Sequence, residues 1–243
     1  MEPIIKVDQV SKSYSKKLVL DDININIEPG KIYGLIGPSG AGKTTLIKMM
    51  VGMENADKGL IRVLDKRMPN LEVLQDIGYM AQSDALYNEL TGEENLKFFA
   101  ALFKLKKSEQ KKRISYAADL VNLNHELRKK VSAYSGGMKR RLSLAVSVIQ
   151  DPRILILDEP TVGIDPELSF SIWNELQRLK IEEGKTIIVT THVMDEAAKS
   201  DFIAMIREGR IITRGTPQQL IESYQVNNLE GVFLKAGGRN SCE

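Results

Sequence analysis

Nine consecutive residues, Gly37-Pro38-Ser39-Gly40-Ala41-Gly42-Lys43-Thr44-Thr45, constrain this chain more than any other stretch. They satisfy the phosphate-loop pattern G-x-x-x-x-G-K-[ST], which requires a strand before it and a helix after it. Both are present as patterns: Lys31 to Gly37 reads as a buried strand, and Leu46, Ile47 and Met50 give an apolar face to a helix opening near Lys43. At average residue usage such a match arises by chance in about one chain in a hundred of this length. Glycines let the backbone wrap a polyphosphate without Cβ clashes, and successive N–H groups point at its oxygens. The helix N-terminus adds a favourable dipole. Lys43 supplies a mobile positive charge for β- and γ-phosphates, and the Thr44 hydroxyl can ligate Mg²⁺. A nucleophile elbow fails because Gly37-Pro38-Ser39-Gly40 continues with Ala41. A dinucleotide fingerprint fails because Gly40-Ala41-Gly42 is followed by Lys43-Thr44-Thr45. The loop reads as a nucleoside-triphosphate site.

The rest of the chain supplies the frame. Its 243 residues allow one large domain or two small ones, at roughly 150 residues each. With 42% hydrophobic and 27% charged residues, it is neither a disordered tail nor a collagenous fibre. No apolar run approaches the roughly 18 to 20 residues of a spanning helix, which argues against an integral membrane protein. Met1-Glu2-Pro3-Ile4-Ile5-Lys6 lacks the basic and apolar regions of a signal peptide. The one cysteine, Cys242, has no internal disulfide partner, which fits a reducing cytosol. Net charge is +2, so there is no global electrostatic case for nucleic-acid binding. Two basic clusters stand out, Lys104 to Arg113 and Lys139-Arg140-Arg141; each reads as a solvated helix face or as a contact for anionic lipid or an acidic partner.

Ile23, Ile25 and Ile27 alternate with polar residues, as in a half-buried antiparallel strand. Apolar runs at Ile77 to Met80, Ile154 to Leu157, Thr186 to Thr190 and Phe202 to Ile206 predict interior strands of a mostly parallel sheet. A helix is expected from Pro166 to about Glu182, with Leu168, Ile172, Leu176 and Leu179 in helical spacing. This pattern predicts an α/β core with ligands at the carboxyl ends of the strands. From about 91 to 150 the sequence turns helical, opening on a possible Thr91–Glu94 capping box, and reads as a helical subdomain inserted into that core.

Two further motifs carry chemistry. Ile154-Leu155-Ile156-Leu157-Asp158-Glu159 is a buried strand delivering two adjacent carboxylates. Strand alternation sends the two side chains to opposite sides, so Asp158 can hold Mg²⁺ while Glu159 polarises an attacking water as general base. Tyr134-Ser135-Gly136-Gly137-Met138 then offers a second anion-binding helix start, with Ser135 as N-cap.

With these motifs in order, the chain resembles the ATP-binding cassette (ABC) ATPase family from about Ile4 to Gly215. The resemblance implies a P-loop NTPase of the ABC-ATPase fold: a mostly parallel core sheet, an antiparallel β subdomain and the inserted helical subdomain. It places the ATPase domain at 1–223, with a short carboxyl-terminal tail at 224–243. It implies ATP and Mg²⁺ as ligands. Tyr14 matches the aromatic that stacks on adenine; Gln82, after Ile77-Gly78-Tyr79-Met80-Ala81, matches the glutamine that senses Mg²⁺ and contacts the membrane subunit. Val162-Gly163-Ile164-Asp165 matches the loop that crosses the dimer interface, and His192, after Thr190-Thr191, matches the switch histidine. The resemblance further implies a head-to-tail homodimer, with nucleotide between one chain's phosphate loop and the other's Ser135-Gly136-Gly137. Lys43, Gln82, Glu159 and His192 are then catalytic, and Thr44, Gln82 and Asp158 hold the metal.

The signature departs from the common L-S-G-G-Q: Tyr134 replaces Leu and Met138 replaces Gln, so no side-chain amide is offered there. Tyr-Ser-Gly-Gly-Met-Lys-Arg-Arg-Leu is similar to the exporter branch of drug, sodium and lipid pumps. The expectation is an ATP-hydrolysing exporter subunit, peripheral on the cytoplasmic face, working with a permease on a separate chain and with no nucleic acid expected. The alternative is a soluble ABC ATPase acting on nucleic acid or the ribosome. A module that only switches on ATP is disfavoured because both Glu159 and His192 are present.

Overall fold

Several continuous apolar runs become strands, and several amphipathic runs opened by a capping residue become helices. In the computed structural model, which describes residues 2–83 and 85–238, the chain begins with β1 (Ile5–Tyr14), β2 (Lys17–Ile27), β3 (Ile32–Ile36), α1 (Lys43–Met50), β4 (Lys58–Val63) and β5 (Lys66–Arg67). Next come β6 (Ile77–Met80), α2 (Gly92–Leu102), α3 (Lys107–Leu120), α4 (Gly136–Ser147), β7 (Ile154–Asp158) and α5 (Pro166–Glu183). The chain continues with β8 (Thr186–Thr191), α6 (Met194–Ala197), β9 (Phe202–Arg207), β10 (Arg210–Gly215), α7 (Pro217–Tyr224) and α8 (Leu229–Ala236). Cys242 lies outside the described residues.

The chain divides into two units, residues 1–73 with 186–243, and residues 74–185. The first contains an antiparallel sheet in the order β2-β1-β4-β5 and, beside it, strands in the order β10-β9-β3-β8. β3 is parallel to both neighbours, with Ile36 opposite Thr191 of β8 and Met205 of β9. All five of its residues are buried, which is why it reads as an unbroken apolar run instead of an alternating one. β10 closes this edge antiparallel to β9. The carboxyl-terminal helices belong to this packing: Leu220 of α7 and Leu229 and Val232 of α8 are buried in one cluster with Ile36, Ile203 and Met205.

In the second unit β6 and β7 pair in parallel, Met80 opposite Leu157. Between them in sequence run α2, α3 and α4. The Thr91–Glu94 pair is a full capping box for α2, and Ser135 caps α4 through a 3.2 Å bond from the Met138 N–H. α4 lies close to β6 because Gly78 has no side chain: a Cβ there would stand 2.0 Å from the Ser147 carbonyl oxygen. α5 opens on Asp165, whose carboxylate accepts from the Leu168 N–H at 2.9 Å, with Pro166 in the first turn.

Candidate functional site

In the first unit the phosphate loop joins β3 to α1. Gly37 is dictated by space, since a Cβ would meet the Ile206 carbonyl oxygen at 2.1 Å. Gly42 is dictated by conformation, with φ 105 at the N-cap of α1. α1 carries no side-chain cap, a feature shared with α3 and α6, and no acidic residue in its first turn, whereas α2, α4, α5, α7 and α8 are capped by Thr, Ser, Asp or Asn side chains. At such a helix start the N–H groups and the helix dipole favour an external anion. Lys43 is 5% exposed, and its Nζ donates to the carbonyls of Gly37 at 2.7 Å and Pro38 at 3.2 Å. The ammonium is therefore folded over the loop it belongs to. Pro38, Ser39 and Gly40 are exposed, Ala41 is buried, and Thr44 and Thr45 are half-buried.

Two more expected residues lie near this loop within the same unit. Tyr14, at the end of β1, hydrogen-bonds Glu54 through its hydroxyl, and Thr45 donates to the same phenol oxygen. Partial burial first, and then the Glu54 carboxylate, push the phenol above its ordinary pKa. The residue remains 43% exposed, with the Lys12 ammonium 5.6 Å from the ring centroid. His192 leaves β8 one residue after Thr191, the partner of Ile36, so it emerges level with Gly37 on a neighbouring parallel strand. The turn there is fixed by the Thr191 hydroxyl, which accepts from the Val193 N–H and donates to Glu196, both at 3.0 Å.

The second unit gathers the other residues. Gln82 follows β6, and Asp158 ends β7, so both leave adjacent parallel strands at their carboxyl ends. Asp158 is 1% exposed and Glu159 half-exposed. Strand alternation does not separate these two carboxylates, as the sequence suggested. β7 ends at Asp158, and Glu159 sits at φ 54, so the backbone has already turned into the left-handed region. Such a conformation costs a non-glycine residue about 1–3 kcal/mol and concentrates at functional sites. Tyr79, beside this pair, has its phenol pushed up to about 12, by burial first and then by the charge of Asp158.

Ser135 and Gly136 are exposed, and a Cβ on Gly136 would meet nothing within 4 Å. Gly137 faces the Val162–Asp165 loop of its own chain: its Cβ position lies 3.2 Å from the Gly163 carbonyl oxygen. Tyr134 is buried, and its hydroxyl donates to the Glu126 carbonyl at 2.9 Å, a bond that leucine at this position would lack.

The arginines of the two basic clusters, unlike the lysines of the Lys104–Arg113 run, depart from a solvated-face reading. Arg140 is 8% exposed and donates to the carbonyls of Ala81 (2.7 Å), Gln82 (2.9 Å), Asp158 and Glu159 (2.7 Å). Arg141 donates to Val121 and Asn122 carbonyls at 3.3 and 3.2 Å. Arg113 also turns inward, onto the Val148 and Ile149 carbonyls at 2.5 and 3.2 Å. The lysines of that run, Lys104, Lys106, Lys107, Lys111 and Lys112, are exposed. Arg140 was legible in one respect: it shares helical spacing with Leu144 and Ser147 on the buried face of α4.

Among the described residues no group of three or more His, Cys, Asp or Glu is placed to hold a metal ion. Mg²⁺ in nucleotide sites takes one or two protein oxygens and completes its shell with phosphate and water. Thr44 in one unit, and Gln82 and Asp158 in the other, are donors of that kind. Among the described residues no helix is long and apolar enough to cross a membrane.

Residues 20–162 match the protein-family model described as ABC transporter. The chain is 39% identical over 239 residues to ABC transporter G family member 23 of Dictyostelium discoideum, covering 96% of this chain and 33% of that protein. It therefore spans about a third of the length of that relative. It is 40% identical over 222 residues to Nod factor export ATP-binding protein I of Burkholderia thailandensis, covering 90% of this chain and 73% of that one. A dimeric ATP-binding cassette, solved in a post-hydrolysis state with ADP and Pi, superposes with a TM-score of 0.82 and 25% identity. That likeness covers 87% of this chain and 98% of the other.

Proposed function

The chain belongs to the ABC transporter family, and we propose that it is the Mg²⁺-dependent ATP-hydrolysing subunit of an exporter whose translocation path is formed by a separate membrane permease. The observation that carries the nucleotide reading is the Gly37–Thr45 loop, with its sterically obligatory Gly37, uncapped α1 and inward-folded Lys43. Export is supported by the name of the Burkholderia relative and by the Tyr-Ser-Gly-Gly-Met signature, and both weigh against an ATPase acting on nucleic acid or the ribosome. The cargo class is a drug, an ion or a lipid-like molecule. A head-to-tail homodimer on the cytoplasmic face of the membrane gives the open Ser135-Gly136-Gly137 turn a nucleotide to meet. The dimeric state of the solved cassette supports that assembly.

The residues act as follows. Tyr14 stacks on adenine, and the backbone of Gly37 to Thr45 wraps the phosphates. Lys43 exchanges two neutral carbonyls for β- and γ-phosphate oxygens. When bound, Mg²⁺ supplies charge neutralisation across those phosphates; the Thr44 hydroxyl, Asp158 and Gln82 would hold it. Glu159 accepts a proton from the attacking water as its oxygen bonds to the γ-phosphorus and ADP departs. His192 steadies the γ-phosphate, and Asp165 belongs to the loop that meets the second chain. Glu159→Gln tests this reading: turnover should fall at least about 100-fold, the scale of general-base catalysis, while ATP binding persists and ATP-bound dimers accumulate. Near-normal turnover removes Glu159 from that role.

A further inference from the structure

The reaction proposed above depends on two side chains, Gln82 and Glu159, that stand on different strand ends. One guanidinium holds the backbone of both. Arg140 Nη1 donates to the carbonyls of Ala81 and Gln82 at 2.7 and 2.9 Å, and these belong to the two peptide planes flanking the Gln82 Cα. Nη2 donates to the carbonyls of Asp158 and Glu159, the latter at 2.7 Å, which flank the Glu159 Cα in the same way. Fixing both planes around a Cα fixes its φ and ψ. At Glu159 that matters most, because its φ of 54 persists only where the surroundings over-determine it. The fork is planar, always charged and 8% exposed, so it stays in one protonation state and one place.

We propose that Arg140 is a positioning residue that clamps Gln82 and Glu159 into one geometry, so that the two side chains are set and released together. Arg140 also rides on α4 little more than a turn beyond its Ser135 cap. Displacement of that helix therefore reaches both residues through one side chain. Lysine cannot reproduce the clamp: its three donors radiate from a single nitrogen, whereas four carbonyls on two strands need a fork.

The inference rests on the proposed roles of Gln82 and Glu159. Its test compares the full chain with Arg140→Lys, Gln82→Ala, the double variant and Glu159→Gln, by steady-state ATP hydrolysis and thermal midpoint. Arg140→Lys should lower kcat by about 100-fold, the cost of a misplacement near 1 Å, with KM for ATP within about threefold. The double variant should be no more than about threefold slower than the slower single one, because both disturb one unit. Arg140→Gln, whose amide can serve only one strand end, gives the same measurement if lysine at 140 prevents folding. A kcat within about threefold of wild type in an Arg140 variant, or effects that multiply in the double variant, overturns the clamp. So does a loss of kcat explained by the unfolded fraction. Full turnover in Glu159→Gln overturns the reading beneath it; loss there with normal turnover in Arg140→Lys overturns the clamp alone.

Discussion

Replacing Gly37 with alanine puts a methyl group where the Ile206 carbonyl already stands, 2.1 Å from the ideal Cβ. Ordinary van der Waals contact begins at 3.4 Å, so about 1.3 Å of separation has to be found. Neither side yields easily. β3 is held on both flanks, by β8 and by β9, up to Ile36, and Ile206 lies inside β9. Overpacking of this kind costs about 1–3 kcal/mol, and backbone meeting carbon places it near the top, at about 3 kcal/mol. At about 2–4 °C per kcal/mol for a chain of this size, the thermal midpoint should fall by about 6–12 °C. A loop displaced by about 1 Å should also lower kcat/KM for ATP by about 100-fold. Gly40→Ala, three residues on, is the internal comparison. Its Cβ meets nothing within 4 Å, and only the φ of 78 opposes it, at about 1 kcal/mol or 2–4 °C. Scanning calorimetry and ATP hydrolysis on both variants decide the matter. If Gly40→Ala is the more destabilised, or Gly37→Ala melts within 2 °C of wild type, the steric reasoning is refuted.

Two further outcomes follow from local contacts. Tyr134→Phe removes the donor to the Glu126 carbonyl and should cost about 1–2 kcal/mol by denaturant unfolding, with KM for ATP unchanged. Asp151 carries a lowered pKa: burial pushes it up, but the 2.7 Å bond from Lys185 and the nearby Arg113 outweigh that. A depressed carboxylate contributes stability above its unfolded pKa of about 3.9 and loses it as pH falls through the folded value. Asp151→Asn should therefore be less stable than wild type at pH 7, by about 1 kcal/mol or less since the carboxylate is half exposed, and the gap should close below about pH 4. A gap that stays constant down to pH 3 removes the ion pair from the account.

What the sequence disclosed and what it withheld divide along the range of the interactions. β3, β7, α1 and α5 were legible because burial and capping are written in consecutive residues: four aliphatics before Asp158, or Asp165-Pro166 before an amphipathic run. β1 was not read, and its geometry explains why. Register shifts between Val7 and Val10, Val10 and Lys12, and Lys12 and Ser13 break the period that would have announced a ten-residue strand. β4 and β10 are half polar, and β4 takes its strand identity from β1, some fifty residues away, with Ile5 opposite Val63. At the site, motif positions were plain, but the direction of Glu159 came from a left-handed residue that alternation cannot foresee. Arg140 and Arg113 looked like surface charge because composition counts charges and not the carbonyls that recruit them.

The order of β10-β9-β3-β8 carries a consequence for how the protein is made. Ile32 of β3 pairs with Ile187, and Tyr33 with Phe202, so this strand leaves the ribosome long before either neighbour exists. At about 5–20 residues per second, roughly 10–30 s separate its synthesis from that of β8 and β9. Throughout that interval Ile32, Tyr33, Leu35 and Ile36 form a nascent apolar edge with both hydrogen-bonding sides unpaired. The strand that carries the phosphate loop is thus made early in translation, and both strands that flank it are made late.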